Sequence, residues 1–324
     1  MRSALSHPAT QKDFILIHPL SPEDAETTKV MRQMSAGIKG KLRGIEARAP
    51  FDGIMEGVVP AEGVSFETGT VGGISGLWVR PKHFQTDEAI LHLHGGWFHW
   101  GTSRAFRHLV GHIATRANAQ AFIPDYRLAP EHPFPAGVND VEASYRALEK
   151  EGIRRVAVIG DSAGGNLALV LSSLVATRAV STDTKLVATI ALSPVTDLTL
   201  SGASYDTRAE ADPYFVKPQV IELVRSYLGN TEPQHPLASP LFNDQLAHLA
   251  PLRVHVGDDE MLLDDSRRYV EQAVAAGVDA KLDIWMGMPH GFTGGVGKLQ
   301  AASSALEAIG TFVEEKFSDA RSAA

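Results

Sequence analysis

The stretch Arg155-Val156-Ala157-Val158-Ile159-Gly160-Asp161-Ser162-Ala163-Gly164-Gly165-Asn166-Leu167-Ala168-Leu169-Val170-Leu171 passes from β-prone residues, through a cluster of small ones, into a helix-forming run. A serine between small residues at a strand-to-helix turn is the pattern of a nucleophile elbow. The turn is so tight that side chains there would meet backbone, and it pushes the serine Oγ outward. Ser162 is therefore the candidate nucleophile, and acyl-enzyme chemistry is what the pattern implies.

Working outward, the elbow lies inside an alternation of strand and helix signals. Apolar, β-prone runs fall at Val64–Thr70, Ile74–Arg80, Ala89–Leu93, Ala121–Pro124, Val156–Gly160, Leu186–Leu192, Leu252–Val256 and Lys281–Trp285. Helical patterns fall at Val138–Glu149, Gly164–Ala176, Asp264–Ala276 and Leu299–Phe317. This rhythm predicts an α/β fold with a mostly parallel central sheet and helices on both faces. Residues 1–60 read as mixed helical segments, with Ser21-Pro22-Glu23-Asp24 as a helix start. Residues 197–250 break the rhythm; they are polar, proline-bearing, carry one clear helix at Pro218–Leu228, and read as an insertion. There is no internal repeat.

The chain has 324 residues, 30 Lys+Arg against 38 Asp+Glu, a formal net charge of −8 and no cysteine. The charge argues against a nucleic-acid partner. The absence of cysteine rules out disulfides, thiolate metal sites and a cysteine nucleophile, and suits a reducing cytoplasm. Near the N-terminus the apolar run Phe14–Ile17 is shorter than the core of a signal peptide, so a cytoplasmic location is expected. The longest charge-free stretch, Ser162 to Thr177, is too short for a membrane span and reads as the buried helix behind the nucleophile. Oligomeric state is not fixed by the sequence, and a homodimer is left open.

A serine hydroxyl needs a histidine base, and the histidine needs an acceptor that holds its tautomer. In the order Ser, acid, His, both should lie downstream. Met288-Pro289-His290-Gly291-Phe292 follows the last strand and makes His290 the base. The acid belongs to the loop Gly257-Asp258-Asp259-Glu260-Met261-Leu262-Leu263-Asp264-Asp265, where five carboxylates crowd together. Spacing alone leaves Asp259 and Glu260 as alternatives, with Asp264 a natural helix cap and the rest solvated. For the developing oxyanion, the glycine-rich turn His94-Gly95-Gly96-Trp97 after the Ala89–Leu93 strand supplies backbone N–H donors, so Gly95, Gly96 and Ala163 are the candidate hole.

His94-Gly95-Gly96, Tyr126-Arg127-Leu128-Ala129-Pro130-Glu131-His132-Pro133-Phe134-Pro135-Ala136, Gly160–Gly165, Asp197 after Ser193-Pro194, and His290-Gly291-Phe292, in this order, resemble the bacterial hormone-sensitive lipase family of carboxylesterases. The resemblance covers about His94 to Phe292. It implies an α/β-hydrolase body, 61–196 with 251–324, under a cap made from segment 1–60 and insertion 197–250. It places the acid on Glu260 of Glu260-Met261-Leu262-Leu263-Asp264, where the family more often has Asp. Trp97 stands where the family commonly has a third glycine, and its N–H remains a donor. Arg127 and Glu131 lie in a segment the family uses to brace the oxyanion loop. Trp97 and Phe98, in the aromatic cluster Trp97-Phe98-His99-Trp100, are candidate substrate contacts, as are Tyr214 and Phe215 from the family's cap layout; a core cluster is the competing reading for the first pair.

The expected activity is a serine carboxylesterase for short- to medium-chain acyl esters, with lactone hydrolysis, deacetylation or amide hydrolysis open to the same triad. A non-catalytic ligand-binding module is disfavoured because all three triad members are present. The partner is a small-molecule ester; no cofactor and no metal are expected. His108 and His112, four apart on a helix, lack a third ligand, and Gly294-Gly295-Val296-Gly297-Lys298 lacks the Ser or Thr of a phosphate loop.

Overall fold

The computed structural model describes residues 13–180 and 182–323. Among the described residues nine strands form one sheet: β1 (Ile15–His18), β2 (Ser65–Val71), β3 (Ile74–Arg80), β4 (Glu88–Leu93), β5 (Gln120–Pro124), β6 (Arg155–Asp161), β7 (Lys185–Leu192), β8 (Leu252–Gly257) and β9 (Ala280–Trp285). Their order is β1-β9-β8-β7-β6-β4-β5-β3-β2. Every neighbouring pair is parallel except β2 with β3 and β3 with β5. The order reverses around β4 and β6, and ligands of such sheets bind beyond the carboxyl ends of strands at the point of reversal.

The helices are α1 (Pro22–Ser35), α2 (Arg48–Glu56), α3 (Ser103–Arg116), α4 (Ala136–Ala147), α5 (Ala163–Ala176), α6 (Ser204–Thr207), α7 (Lys217–Leu228), α8 (Leu263–Ala275) and α9 (Gln300–Ser322). α3 and α9 pack on one face of the sheet, while α4, α5 and α8 pack on the other. Strands covered on both faces cannot alternate apolar with polar, which is why β4 and β6 read as continuous apolar runs and are buried along their length. α5 is buried from Ala163 to Ser173, as a helix between sheet and neighbouring helices must be. Each fully buried large side chain contributes ~1.5–3 kcal/mol. A typical surface ion pair contributes ~0–1 kcal/mol, so the two apolar layers hold the body together.

Segment 1–60 departs from the expectation of helices alone. Ile15–His18 forms an edge strand parallel to β9, paired from Ile15 with Leu282 to His18 with Trp285. The residues alternate too little to announce a strand; the pairing is secured by His18, which stacks on Trp285 at 3.8 Å and bonds Asp283 at 2.7 Å. The part of the N-terminal reading that falls on residues 1–12 lies outside the described residues. α1 begins as the sequence indicates, with Ser21 Oγ accepting from the Asp24 N–H at 3.1 Å and Pro22 in the first turn. It is docked at both ends: Asp24 accepts the Gln300 and Ala301 N–H groups at the start of α9, and Arg32 donates to Asp259 at 2.6 Å. Among the described residues, no helix is long and apolar enough to cross a membrane.

Candidate active site

Ser162 joins β6 to α5 with φ 56° and ψ −118°, a conformation that L-residues reach only under strain. Two glycines make the turn fit. A Cβ on Gly160 would lie 2.1 Å from the Gly164 carbonyl oxygen, and one on Gly164 would lie 1.9 Å from the Leu93 oxygen. The Ser162 N–H donates to Leu192 O at 2.7 Å, which ties the elbow to the end of β7. Ser162 is 5% exposed and opens on a cavity of about 180 Å³.

His290, on the loop after β9, lines the same cavity. Its Nδ1 lies 2.6 Å from Glu260 Oε2. Glu260 is fully buried, and its Oε1 accepts the Gly257 N–H at 2.6 Å and the Ser193 hydroxyl at 2.7 Å. Burial opposes charge on the imidazole, but the Glu260 carboxylate outweighs it through charge and hydrogen bond; Asp212 and Asp161 add to it, and His290 is raised above an ordinary histidine. This is the poise of a base held by an acid.

The remaining acidic residues of the loop are engaged elsewhere, not solvated as the sequence reading had most of them. Asp258 pairs with Arg208 at 2.9 Å and Asp259 with Arg32 at 2.6 Å. Asp264 is not the cap of α8; its Oδ2 accepts the Ser204 N–H at 2.9 Å, because the start of α8 is packed under the insertion. Asp265 is buried and accepts the Thr196 and Asp197 N–H groups at 2.7 and 2.9 Å.

The candidate oxyanion loop follows β4. Gly96 lines the cavity with φ 120°, and Ala163 opens α5 beside Ser162. The Gly95 N–H is among the groups that favour the charged Asp161 carboxylate, which lies so close that a Cβ on Gly95 would be 2.4 Å from Asp161 Oδ2. Burial raises Asp161 to about 7, against the opposing pull of His290 and of this N–H. The loop is braced from behind. Tyr126 Oη donates to His94 O at 2.7 Å, and Arg48 donates to His99 O, Ala129 O and both Glu131 oxygens. Arg127 is held by Asp140.

Trp97 and Phe98 both have positive φ, 52° and 63°, and this pair of left-handed residues sends their rings apart. Trp97 lines the cavity and meets Phe215 edge-on at 5.6 Å. Phe98 is not among the residues lining the cavity: it stacks on Tyr227 at 3.8 Å in the core, 3% exposed. Tyr214 and Phe215 line the cavity, and the Phe215 ring stands edge-on to His290 at 5.4 Å. Ile38, Leu42, Phe51, Ile54 and Met55 of the N-terminal segment add to the apolar lining. Phe51, Ile54 and Met55 follow the pattern of any core-facing helix face, and Ile38 and Leu42 lie in the connection before it, so nothing in the sequence singled them out. Ser193, Asp212 and Arg32 were likewise silent, as each acts through a partner remote in sequence.

His112 Nε2 bonds Val59 O at 2.7 Å and His108 packs edge-on against Phe66 at 5.9 Å, so neither ring faces a shared ligand position. No cluster of metal-ligating side chains occurs among the described residues. A wider groove of about 800 Å³ beside α9 is lined by Arg116, Arg253 and Lys281, and no histidine stands beside its Ser303, Ser304 and Thr311 hydroxyls. Two of its cations are already paired, Arg116 with Glu307 and Arg253 with Asp279.

The pattern described as an alpha/beta hydrolase fold matches residues 90–294. An acetyl-hydrolase of Streptomyces hygroscopicus is 37% identical over 246 residues, covering 75% of this chain and 81% of the relative. An esterase of Acinetobacter venetianus is 35% identical over 223 residues, covering 68% and 72%. Among solved structures, an esterase/lipase from an uncultured bacterium superposes with a TM-score of 0.84 at 35% identity, covering 92% of this chain and 100% of that one. An esterase described as belonging to the bacterial hormone-sensitive lipase family superposes with a TM-score of 0.83 at 35% identity, covering 92% and 99%.

Proposed function

Since this chain belongs to the α/β-hydrolase family, among the bacterial esterases of hormone-sensitive lipase type, we propose that it cleaves short- to medium-chain acyl esters through an acyl-enzyme on Ser162. The observation that carries this is the buried Glu260–His290 pair at 2.6 Å, opening on the same cavity as a strained, outward-facing serine.

His290 takes the Ser162 proton as Oγ attacks the ester carbonyl, and Glu260 steadies the imidazolium through Nδ1–H. The negative oxygen of the tetrahedral intermediate is met by the N–H groups of Gly96 and Ala163, with that of Trp97 beside them. Gly95 lets the loop pass against Asp161, where a side chain would collide with the carboxylate. Each donor is worth ~2.7–4 kcal/mol of transition-state stabilisation. His290 then returns its proton to the leaving alcohol, and water, activated by the same base, releases the acid. The substrate is a small neutral ester. The cavity wall is apolar, and the Asp161 carboxyl beside Ser162 disfavours an anionic acyl group. The cap reading is supported by walls drawn from residues 38–55 and 214–219, with β1 the exception that joins the sheet.

Hydrolysis of p-nitrophenyl acetate, butyrate, octanoate and palmitate, measured for the parent and for Ser162→Ala, tests the reading. The parent should favour the shorter esters and the variant should lose at least about 10³-fold in kcat. A parent no faster than Ser162→Ala would overturn it, and a matched p-nitroanilide cleaved as fast as the ester would move the assignment to amide hydrolysis.

A further inference from the structure

Asp212 precedes the aromatic pair that reaches the cavity and is 1% exposed. Its Oδ1 accepts the Tyr214 N–H at 2.9 Å and the Phe215 N–H at 3.0 Å. Its Oδ2 accepts the N–H of Met261, the residue after Glu260, at 3.1 Å. Phe215 stands edge-on to His290, so this carboxylate touches the segment over the base and the segment carrying the acid at once. Its own segment is anchored from outside: the Asp212 N–H donates to Arg208 O at 2.8 Å, and Arg32 donates to the Ala211 carbonyl and to Asp259.

We propose that Asp212 is a positioning residue for proton transfer: it locks the Phe215 roof and the Glu260 loop into one piece, so that the cap and the triad take up their working geometry together. The inference rests on the esterase reading above. Three N–H donors converge on two anionic oxygens, which only a carboxylate can satisfy. An asparagine offers one acceptor oxygen, and its amide would face one of the N–H groups donor to donor. Asp212 also faces His290 as a charge. Around His290 the other carboxyls are Glu260 and Asp161; around Asp212 are Arg32, Arg208, Asp258, Asp259 and the Tyr214 phenol. Loss of the Asp212 charge removes one of the contributions that favour the His290 imidazolium, so the acidic limb of the rate profile should move to lower pH.

The experiment compares the parent with Asp212→Asn and Asp212→Glu on p-nitrophenyl butyrate, measuring kcat and KM separately from pH 5 to 9, with near-ultraviolet circular dichroism as the check on folding. Asp212→Asn should lose tenfold or more in kcat and shift the acidic limb of kcat/KM to lower pH; Asp212→Glu, which keeps the charge, should leave the limb in place. Asp212→Asn with kcat within twofold of the parent, with an unmoved limb, or with a change confined to KM would each overturn the proposal. Should Asp212→Asn not accumulate as folded protein, Phe215→Ala decides: a fivefold or larger fall in kcat supports the joined piece, and an effect on KM alone refutes it. A parent without esterase activity would sink the functional reading and this inference with it, whereas an active parent with an indifferent Asp212→Asn would sink the inference alone.

Discussion

Glu260 accepts three hydrogen bonds through its two oxygens, from His290, Gly257 and Ser193, and is sealed from solvent. Asp259, one residue earlier, points to Arg32 and is half-buried. The two therefore differ sharply in what they do. Glu260→Gln should lower kcat on p-nitrophenyl butyrate by about 10³–10⁴-fold, since an amide in the acid's place misdirects the histidine tautomer. Asp259→Asn loses a partly exposed ion pair worth ~0–1 kcal/mol and should leave kcat within about threefold. Steady-state rates at pH 8 separate the two, and the reverse ranking would reassign the acid. Ser162 and His290 were legible from the chain because the elbow's small residues and the order of strands leave each of them one place to go. Glu260 was not legible from spacing alone, since adjacent loop residues differ only in where they point. For the same reason Trp97 and Phe98, side by side in sequence, part company at the cavity.

Among the elements, α3 and α9 meet where Gly310 passes the last residue of α3. A Cβ on Gly310 would lie 2.3 Å from Arg116 Cβ and 2.8 Å from its carbonyl carbon, and backbone cannot yield as a side-chain tip can. Gly310→Ala should destabilise the protein by roughly 1–3 kcal/mol, the usual penalty of overpacking. Gly53, inside α2, has nothing within 4 Å of the same atom. Gly53→Ala should gain about 0.5–1 kcal/mol from helix propensity. Urea midpoints at constant m-value read both, and a matching sign for the two substitutions would refute the packing argument. The long buried strands and helices were plain in the sequence because burial on both faces writes continuous apolar runs. β1 was missed because its four residues owe their pairing to β9 and to His18 on Trp285, contacts no local pattern encodes.

The molecule as a whole carries buried carboxyls that titrate late. Burial raises Asp265 to about 8, against backbone N–H groups that oppose it and with Asp197 reinforcing it. In the unfolded chain an aspartate titrates near ~3.9. The folded state thus holds this proton more tightly. Below pH ~4 the group makes no difference to stability. Above that, the folded state is progressively penalised until the pH passes about 8, where the loss levels off. Asp265→Asn, which keeps an acceptor for the Thr196 and Asp197 N–H groups, escapes this penalty. Its Tm relative to the parent should rise steadily between pH 5 and 8 and stay level beyond; a difference that is flat across that range would show that Asp265 ionises normally. The net charge of −8 gave no hint of this, because it counts every carboxyl as ionised.

The cavity's two walls, at residues 38–55 and 214–219, come from stretches more than 150 positions apart, and α1 is pinned by an aspartate at 259 and by the start of α9 at 300. The turn around Ser162 needs only β4, β6, β7 and α5, all drawn from residues 88–192. Because contacts between distant segments must wait for their loops to close, the nucleophile's seat can take shape before its pocket exists. As the chain is made, its first described helix cannot complete its docking until the last one exists, so the serine's seat can precede the base, the acid and the pocket that surround it.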